Sequence, residues 1–235
     1  MSMLMMSMAL AGNASAAALW LLCLEGSGLT KYEDNQCTKA NGTGKWQSLG
    51  IPAGKTDTVR LLAFSLRLED FNLGVQVECG DSGPPGSIVG VIEGPNKAKI
   101  TEMELKEPEN EGCKVLKGAL TCKAGALSKI NGLNLPWQTE IFTTTEKKDL
   151  ARIEGTGGTK PGWVVVCGGA RDECLEETGE YLELENRVTK GVLLVAARLE
   201  NVGNARCSLT SGKGKTSGLI AVLLWTGNGL SINPA

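Results

Sequence analysis

The sequence predicts an all-β chain, in its simplest form an antiparallel β-sandwich stapled by disulfides. Three observations carry that expectation: apolar residues recur with period two, Gly- and Pro-rich turns interrupt them at short intervals, and eight Cys stand in a chain without His. Many short alternating runs separated by turn chemistry are what two packed antiparallel sheets require. The alternatives within the class are a β-barrel, or two small β-domains split between residues 125 and 160.

The chain opens without charge. No Asp, Glu, Lys or Arg precedes Glu25, and five of the six Met fall within the first eight residues. An apolar run from Met3 to Ala11 leads to Ala14-Ser15-Ala16, the small-x-small pattern of a cleavage site, so residues 1–18 read as a signal peptide cut near 16–18. The run departs from a usual exported precursor in having no basic residue before it. A membrane anchor is the plain alternative, since residues 1–24 are uncharged and long enough to span a bilayer, but Ala, Ser, Gly and Asn interrupt them. Lipidation of Cys23 would want a small side chain where Leu22 stands. The expectation is a secreted protein with no stable membrane insertion after signal removal.

Residues 19–235 are expected to form a single β-rich domain, with 19–57, polar and Gly-rich from 25 onward, as a stapled N-terminal loop region. Leu62, Phe64, Leu66 and Leu68 alternate with Ala63, Ser65, Arg67 and Glu69, which predicts one half-buried strand. Val75, Val77 and Cys79 predict another, as do Leu133, Leu135 and Trp137, and Trp163, Val165 and Cys167. Val192–Ala197 and Leu219–Trp225 are apolar throughout and predict strands buried on both faces. Turns are placed at Asp81–Gly86, Gly94-Pro95-Asn96 and Gly155–Gly162, and short hairpins over residues 106–131. Gly74–Gly80 and Gly162–Gly168 resemble each other, each opening a strand with Gly and ending it on Cys. Convergence of strand ends explains the likeness more simply than a duplication does.

An even Cys count in an exported chain predicts disulfides at Cys23, Cys37, Cys79, Cys113, Cys122, Cys167, Cys174 and Cys207. Proximity favours Cys23 with Cys37 and Cys113 with Cys122, then Cys167 with Cys174, leaving Cys79 with Cys207; Cys174 with Cys207 is an open alternative that sends Cys167 elsewhere. With no C-x2-C pair and no His, neither a zinc site nor a redox dithiol is expected, and no metal or other cofactor is assigned.

Lys and Arg number 24 against 26 Asp and Glu, a balance without the clustered positive charge that nucleic acid requires, so nucleic acid is not an expected partner. Gly54-Lys55-Thr56 and Gly214-Lys215-Thr216 resemble the end of a phosphate-binding loop, but Leu49 and Leu209 occupy the positions of its first Gly. Without His the familiar nucleophile triads are excluded, leaving carboxylates as the plausible catalytic groups. Glu69-Asp70 and the run Glu173, Glu176, Glu177 and Glu180 are candidates, and Tyr32-Glu33-Asp34-Asn35 is a weak candidate for calcium; a solvated acidic surface explains them all as simply. Asn41-Gly42-Thr43 has the form of a glycosylation sequon. Trp163 and Trp225 read as core, whereas Trp46 and Trp137 read as candidates for exposure and binding.

Lys31-Tyr32-Glu33-Asp34 leading to Cys37-Thr38-Lys39, Leu135-Pro136-Trp137-Gln138-Thr139-Glu140, Pro161-Gly162-Trp163 with Cys167, and Gly227-Asn228-Gly229-Leu230 together resemble a group of exported bacterial, cysteine-containing, β-rich proteins of unknown function. The resemblance spans most of the chain after the leader. It implies export, β-structure and paired Cys, and transfers no catalytic or binding residue. The leading expectation is a non-enzymatic secreted β-sandwich that binds a surface component, such as a polysaccharide, or another protein. The alternative is a carbohydrate-active hydrolase using paired carboxylates.

Overall fold

The computed structural model describes residues 18–26, 31–52, 54–71, 74–80, 86–106, 112–117, 127–167, 170–176, 180–208 and 212–233. The signal-peptide expectation, the turn at 81–85, Cys122 and Glu177 lie outside them. In chain order the strands are β1 (Leu19–Glu25), β2 (Trp46–Gly50), β3 (Asp57–Ala63), β4 (Leu66–Asp70), β5 (Val75–Gly80) and β6 (Gly86–Ile92). Next come β7 (Lys97–Lys106), β8 (Gly112–Lys117), β9 (Leu127–Leu133), β10 (Trp137–Thr143), β11 (Asp149–Gly155) and β12 (Gly162–Cys167). The last are β13 (Ala170–Glu176), β14 (Glu180–Thr189), β15 (Val192–Cys207), β16 (Gly212–Leu224) and β17 (Leu230–Asn233). Every pairing is antiparallel.

The all-β, antiparallel, disulfide-stapled architecture is thus present, and its pairings give it the barrel form. Strands β3, β6, β7, β10, β11, β14, β15 and β16 each pair with the next, and β16 returns to β3, so eight strands close a ring. Closure leaves these strands no free edge, which is how an all-β fold hides its unpaired backbone groups. A second layer of pairing grows from the same strands at one end of the ring, running β8-β5-β4-β16-β15-β13-β12-β9-β7. The long strands β7, β15 and β16 therefore belong to both.

The alternation over Leu62–Leu68 is not one strand. In β3 the buried residues are Val59 and Leu61; in β4 they are Leu66, Leu68 and Asp70, the opposite phase. The phase changes at Phe64-Ser65, where both amides donate to the Leu219 carbonyl, at 2.8 and 3.3 Å. Two residues facing one partner make a β-bulge, and it carries the chain from the ring into the second layer. Opposite it, Gly218 has φ +135, and a Cβ there would lie 1.9 Å from the Ser65 carbonyl oxygen, so only glycine fits.

The chain is built twice. The pairings β3–β6, β4–β5, β6–β7 and β5–β8 recur as β11–β14, β12–β13, β14–β15 and β13–β15, with β15 taking the place of β7 and β8 together. Likewise β9 and β10 correspond to the two ends of β16: β9 pairs with β12 as β16 pairs with β4, and β10 with β11 as β16 with β3. The last strands of each half thus pair with the first strands of the other. Sequence echoes follow: Asp57-Thr58-Val59-Arg60-Leu61 against Asp149-Leu150-Ala151-Arg152-Ile153, and Ala98-Lys99-Ile100 against Ala197-Arg198-Leu199. The likeness of Gly74–Gly80 to Gly162–Gly168 is not this repeat, because β5 corresponds to β13 and Cys79 to Cys174.

The disulfides follow the duplication. Cys79 faces Cys113 across β5–β8 and is joined to it; Cys174 faces Cys207 across β13–β15 and is joined to it, with sequence separations of 34 and 33. These links correct the pairings expected from proximity, Cys113 with Cys122, Cys167 with Cys174, and Cys79 with Cys207. Strand register, not shortness of loop, decides which sulfurs meet. Cys23 is joined to Cys37, and Cys167 is also disulfide-bonded.

The small sheet β17-β1-β2 lies against one end of the ring. The Trp20 amide donates to the Pro95 carbonyl in the β6–β7 turn at 2.7 Å, and Asn186 of β14 exchanges two hydrogen bonds with Ile232. The stretch expected as a loop over 19–57 therefore contains two strands, and Gln36 pins its stapled turn to Leu193 and Gly227.

Candidate functional site

All eight ring strands send alternate residues inward, and on seven of them these are apolar: Val59 and Leu61, Ile88 and Ile92, Ala98 and Ile100, Ala151 and Ile153, Leu182 and Leu184, Ala197 and Leu199, Ile220 and Val222. Trp137 and Thr139 complete the ring from β10, and Trp20 from β1 joins the lining. Trp163, Glu176 and Thr216 line it from the second layer. Many lining residues are short, with Gly90, Ala98, Ala151 and Ala197 on four different strands. The side chains leave a cavity of about 100 Å³. Such a concave, apolar space with few polar groups is the usual form of a small-molecule site.

Three residues of this lining carry a buried polar atom without a protein partner: Trp20 Nε1, Thr139 Oγ1 and Glu176 Oε2. Buried polar groups are nearly always hydrogen-bonded, because leaving one unpaired costs about 1–3 kcal/mol. The other two indoles of the lining obey that rule. Trp137 Nε1 donates to the Leu133 carbonyl at 2.6 Å, and Trp163 Nε1 to the Thr216 hydroxyl at 3.0 Å.

Glu176 is the charged group of the site. It ends β13 on the same face as Asp172 and Cys174, its amide is tied to the Pro161 carbonyl at 2.8 Å, and it is 2 % exposed. Thr216 Oγ1 donates to Oε1 at 3.4 Å. Burial in an apolar wall pushes its carboxyl up to about 7, a hydrogen bond from Thr216 opposing the rise without cancelling it. Near neutral pH the group is therefore poised between acceptor and donor.

The remaining candidates separate. Glu176 and Asp70 are buried rather than part of a solvated acidic surface. Glu69 and Asp70, adjacent in β4, point to opposite faces as strand neighbours must, so they do not converge. Glu173 bonds Arg171 on the exposed side. Asp34 holds Thr38 through its amide and hydroxyl, at 2.9 and 2.6 Å; burial raises its pKa, but these bonds and Lys39 together outweigh that and hold it below the usual value. Glu33 accepts from Asn41 at 2.7 Å, so the calcium candidates brace the loop. Asp172, Cys174 and Cys207 cluster within 4.8 Å, but both sulfurs are spent in the disulfide and leave Asp172 alone as a donor.

Two tryptophans stand opposite to expectation. Trp137 is buried in the lining, while Trp225 is 58 % exposed with the Arg60 guanidinium 5.1 Å from its ring. Trp163 is buried, and Trp46 is half-buried beside Lys45. In the sequence Glu176 is one of four candidates in an acidic run, and Thr216 is not a site candidate. Glu176 sits in an acidic run, yet it lies two residues from Cys174 in strand phase, and that was the available signal. Thr216 belongs to the false phosphate loop, which is β-strand throughout.

No family model, curated protein or solved structure matches the chain.

Proposed function

We propose that this protein is an exported, non-enzymatic binding protein that holds a small apolar molecule inside its β-barrel. The observation that carries the reading is the conjunction of an apolar ring interior with three lining residues whose buried polar atoms have no protein partner. Natural cores are packed tightly, so a cavity of about 100 Å³ in an apolar ring interior, where Gly90, Ala98, Ala151 and Ala197 give room, points to an occupant. Disulfides on both halves are compatible with an extracellular setting.

The polarity of the ring favours a binder over a membrane pore. Apart from the apolar patch around Leu62, Leu194 and Leu223 on β3, β15 and β16, outward positions carry Arg60, Glu140, Arg152, Glu183 and Arg198, whereas a transmembrane barrel turns apolar side chains to lipid all round. Among the described residues no helix is long and apolar enough to cross a membrane. The hydrolase alternative gains little, because the lining offers a single carboxyl, that of Glu176, where paired-carboxylate hydrolysis needs two.

The test is equilibrium titration of the full chain with N-phenyl-1-naphthylamine, an apolar probe that fluoresces when removed from water. Saturable binding at one site per chain, lost in an Ala151→Leu variant that fills the interior, is expected. Absence of binding, or binding unchanged by Ala151→Leu, overturns the reading.

A further inference from the structure

We infer that the occupant of the barrel is an apolar molecule ending in a hydrogen-bond donor, a hydroxyl or an amine, and that this end docks on Glu176 Oε2 beside Thr216 and Trp163. The inference rests on the barrel-binding reading and adds the chemistry and orientation of the ligand.

Proton ordering at this end of the barrel follows from what each group can do. An indole nitrogen only donates, so Trp163 Nε1 gives its proton to the Thr216 oxygen at 3.0 Å. The Thr216 hydroxyl is then free to direct its own proton to Glu176 Oε1, 3.4 Å away. That satisfies Oε1 and leaves Oε2 buried, without a partner, in an otherwise apolar wall. Above neutral pH, where the carboxyl is ionised, it only accepts, so the complement to the unpartnered Oε2 is a donor. An ammonium gains a charge-assisted bond there, and a hydroxyl a weaker one.

Register shows that the other two unpartnered groups lie at the far end. Thr139 pairs with Ala98 near the β6–β7 turn, and the Trp20 backbone bonds Pro95 in that turn. Glu176 instead pairs with Ala205, and Thr216 with Leu68, both in the second layer. The polar groups therefore bracket an apolar middle. A molecule anchored at Glu176 extends its apolar body along the barrel toward Trp20.

The experiment displaces N-phenyl-1-naphthylamine from the full chain at pH 8 with four eight-carbon ligands: octylamine, 1-octanol, octyl methyl ether and octanoate. The inference expects octylamine and octanol to bind at least tenfold more tightly than the ether, and octanoate most weakly. In a Glu176→Gln variant, shown by circular dichroism to be folded, the preference for octylamine over the ether should shrink about tenfold while ether affinity is retained. Equal affinities of all four ligands in the native chain, or an unchanged amine preference in Glu176→Gln, overturn the anchor and leave the barrel reading standing. Failure of the probe and all four ligands to bind removes the barrel reading, and the anchor with it.

Discussion

The Thr216 hydroxyl stands 3.4 Å from Glu176 Oε1 and bonds this carboxyl, within a wall built mostly of apolar side chains. Both residues come from the second half of the duplicated chain: Glu176 ends β13, and Thr216 lies in the part of β16 that crosses over to pair with β4 of the first half.

Burial of Glu176 makes stability depend on pH in a defined direction. Its carboxyl is raised to about 7 from an ordinary value of 4.5. Between those values the native state keeps a proton that the unfolded chain has released, so stability falls as pH rises through that window and levels above about 7. The shift corresponds to a loss on the order of 3 kcal/mol. Urea midpoints measured from pH 4.5 to 8 should show this decline in the native chain and its absence in Glu176→Gln. Parallel curves for the two proteins would contradict the burial of this carboxyl.

Thr216→Val deletes the hydroxyl that serves both Trp163 Nε1 and Glu176 Oε1, leaving two buried groups unpaired at once. A loss of about 1–3 kcal/mol is expected, greater at pH 8 than at pH 5 because an ionised carboxylate is the more costly to strand. Denaturant unfolding at the two pH values measures both.

Ala151→Leu separates open space from packed core. Adding methylenes to a tight core costs about 1–3 kcal/mol, whereas side chains entering unfilled space are tolerated. Ala151 is 2 % exposed and lines the interior, so Ala151→Leu should stay within about 1 kcal/mol of the native chain. A thermal melt that falls sharply in this variant would show the interior to be filled.

The two cross-strand disulfides should act alike. Cys79–Cys113 and Cys174–Cys207 close loops of nearly equal length, with separations of 34 and 33, and the chain-entropy account assigns each about 2–4 kcal/mol. Replacing either pair with Ala should lower stability by similar amounts. Peptide mapping without reduction should recover both links and Cys23–Cys37. A Cys113–Cys122 peptide would contradict the strand register.

Much of the fold was legible because period two is local. Val75, Val77 and Cys79 announce β5, and Trp163, Val165 and Cys167 announce β12, from neighbours alone. What escaped depends on partners distant in the chain. The phase change at Phe64-Ser65 arises from sharing the Leu219 carbonyl, and the closing of β16 onto β3 joins residues far apart in sequence. The duplication was hidden because its echoes are short and because β15 and β16 each do the work of two strands in the first half. That Glu176, of the four acids in its run, is the buried one was hidden for a different reason. An acidic run reads as solvated surface until strand phase places one of its members on the inner face with Cys174, and the sequence does not say which layer lies over that face.

The most direct measurement is the crystal structure of the protein soaked with 1-octanol. The account predicts density for the alkyl chain inside the ring, bounded by Ala151, Ala197 and Ile153, with the hydroxyl oxygen within hydrogen-bond distance of Glu176 Oε2. Density confined to the outer apolar face around Leu62, Phe64 and Leu223, or an interior closed by repacked side chains, would contradict it.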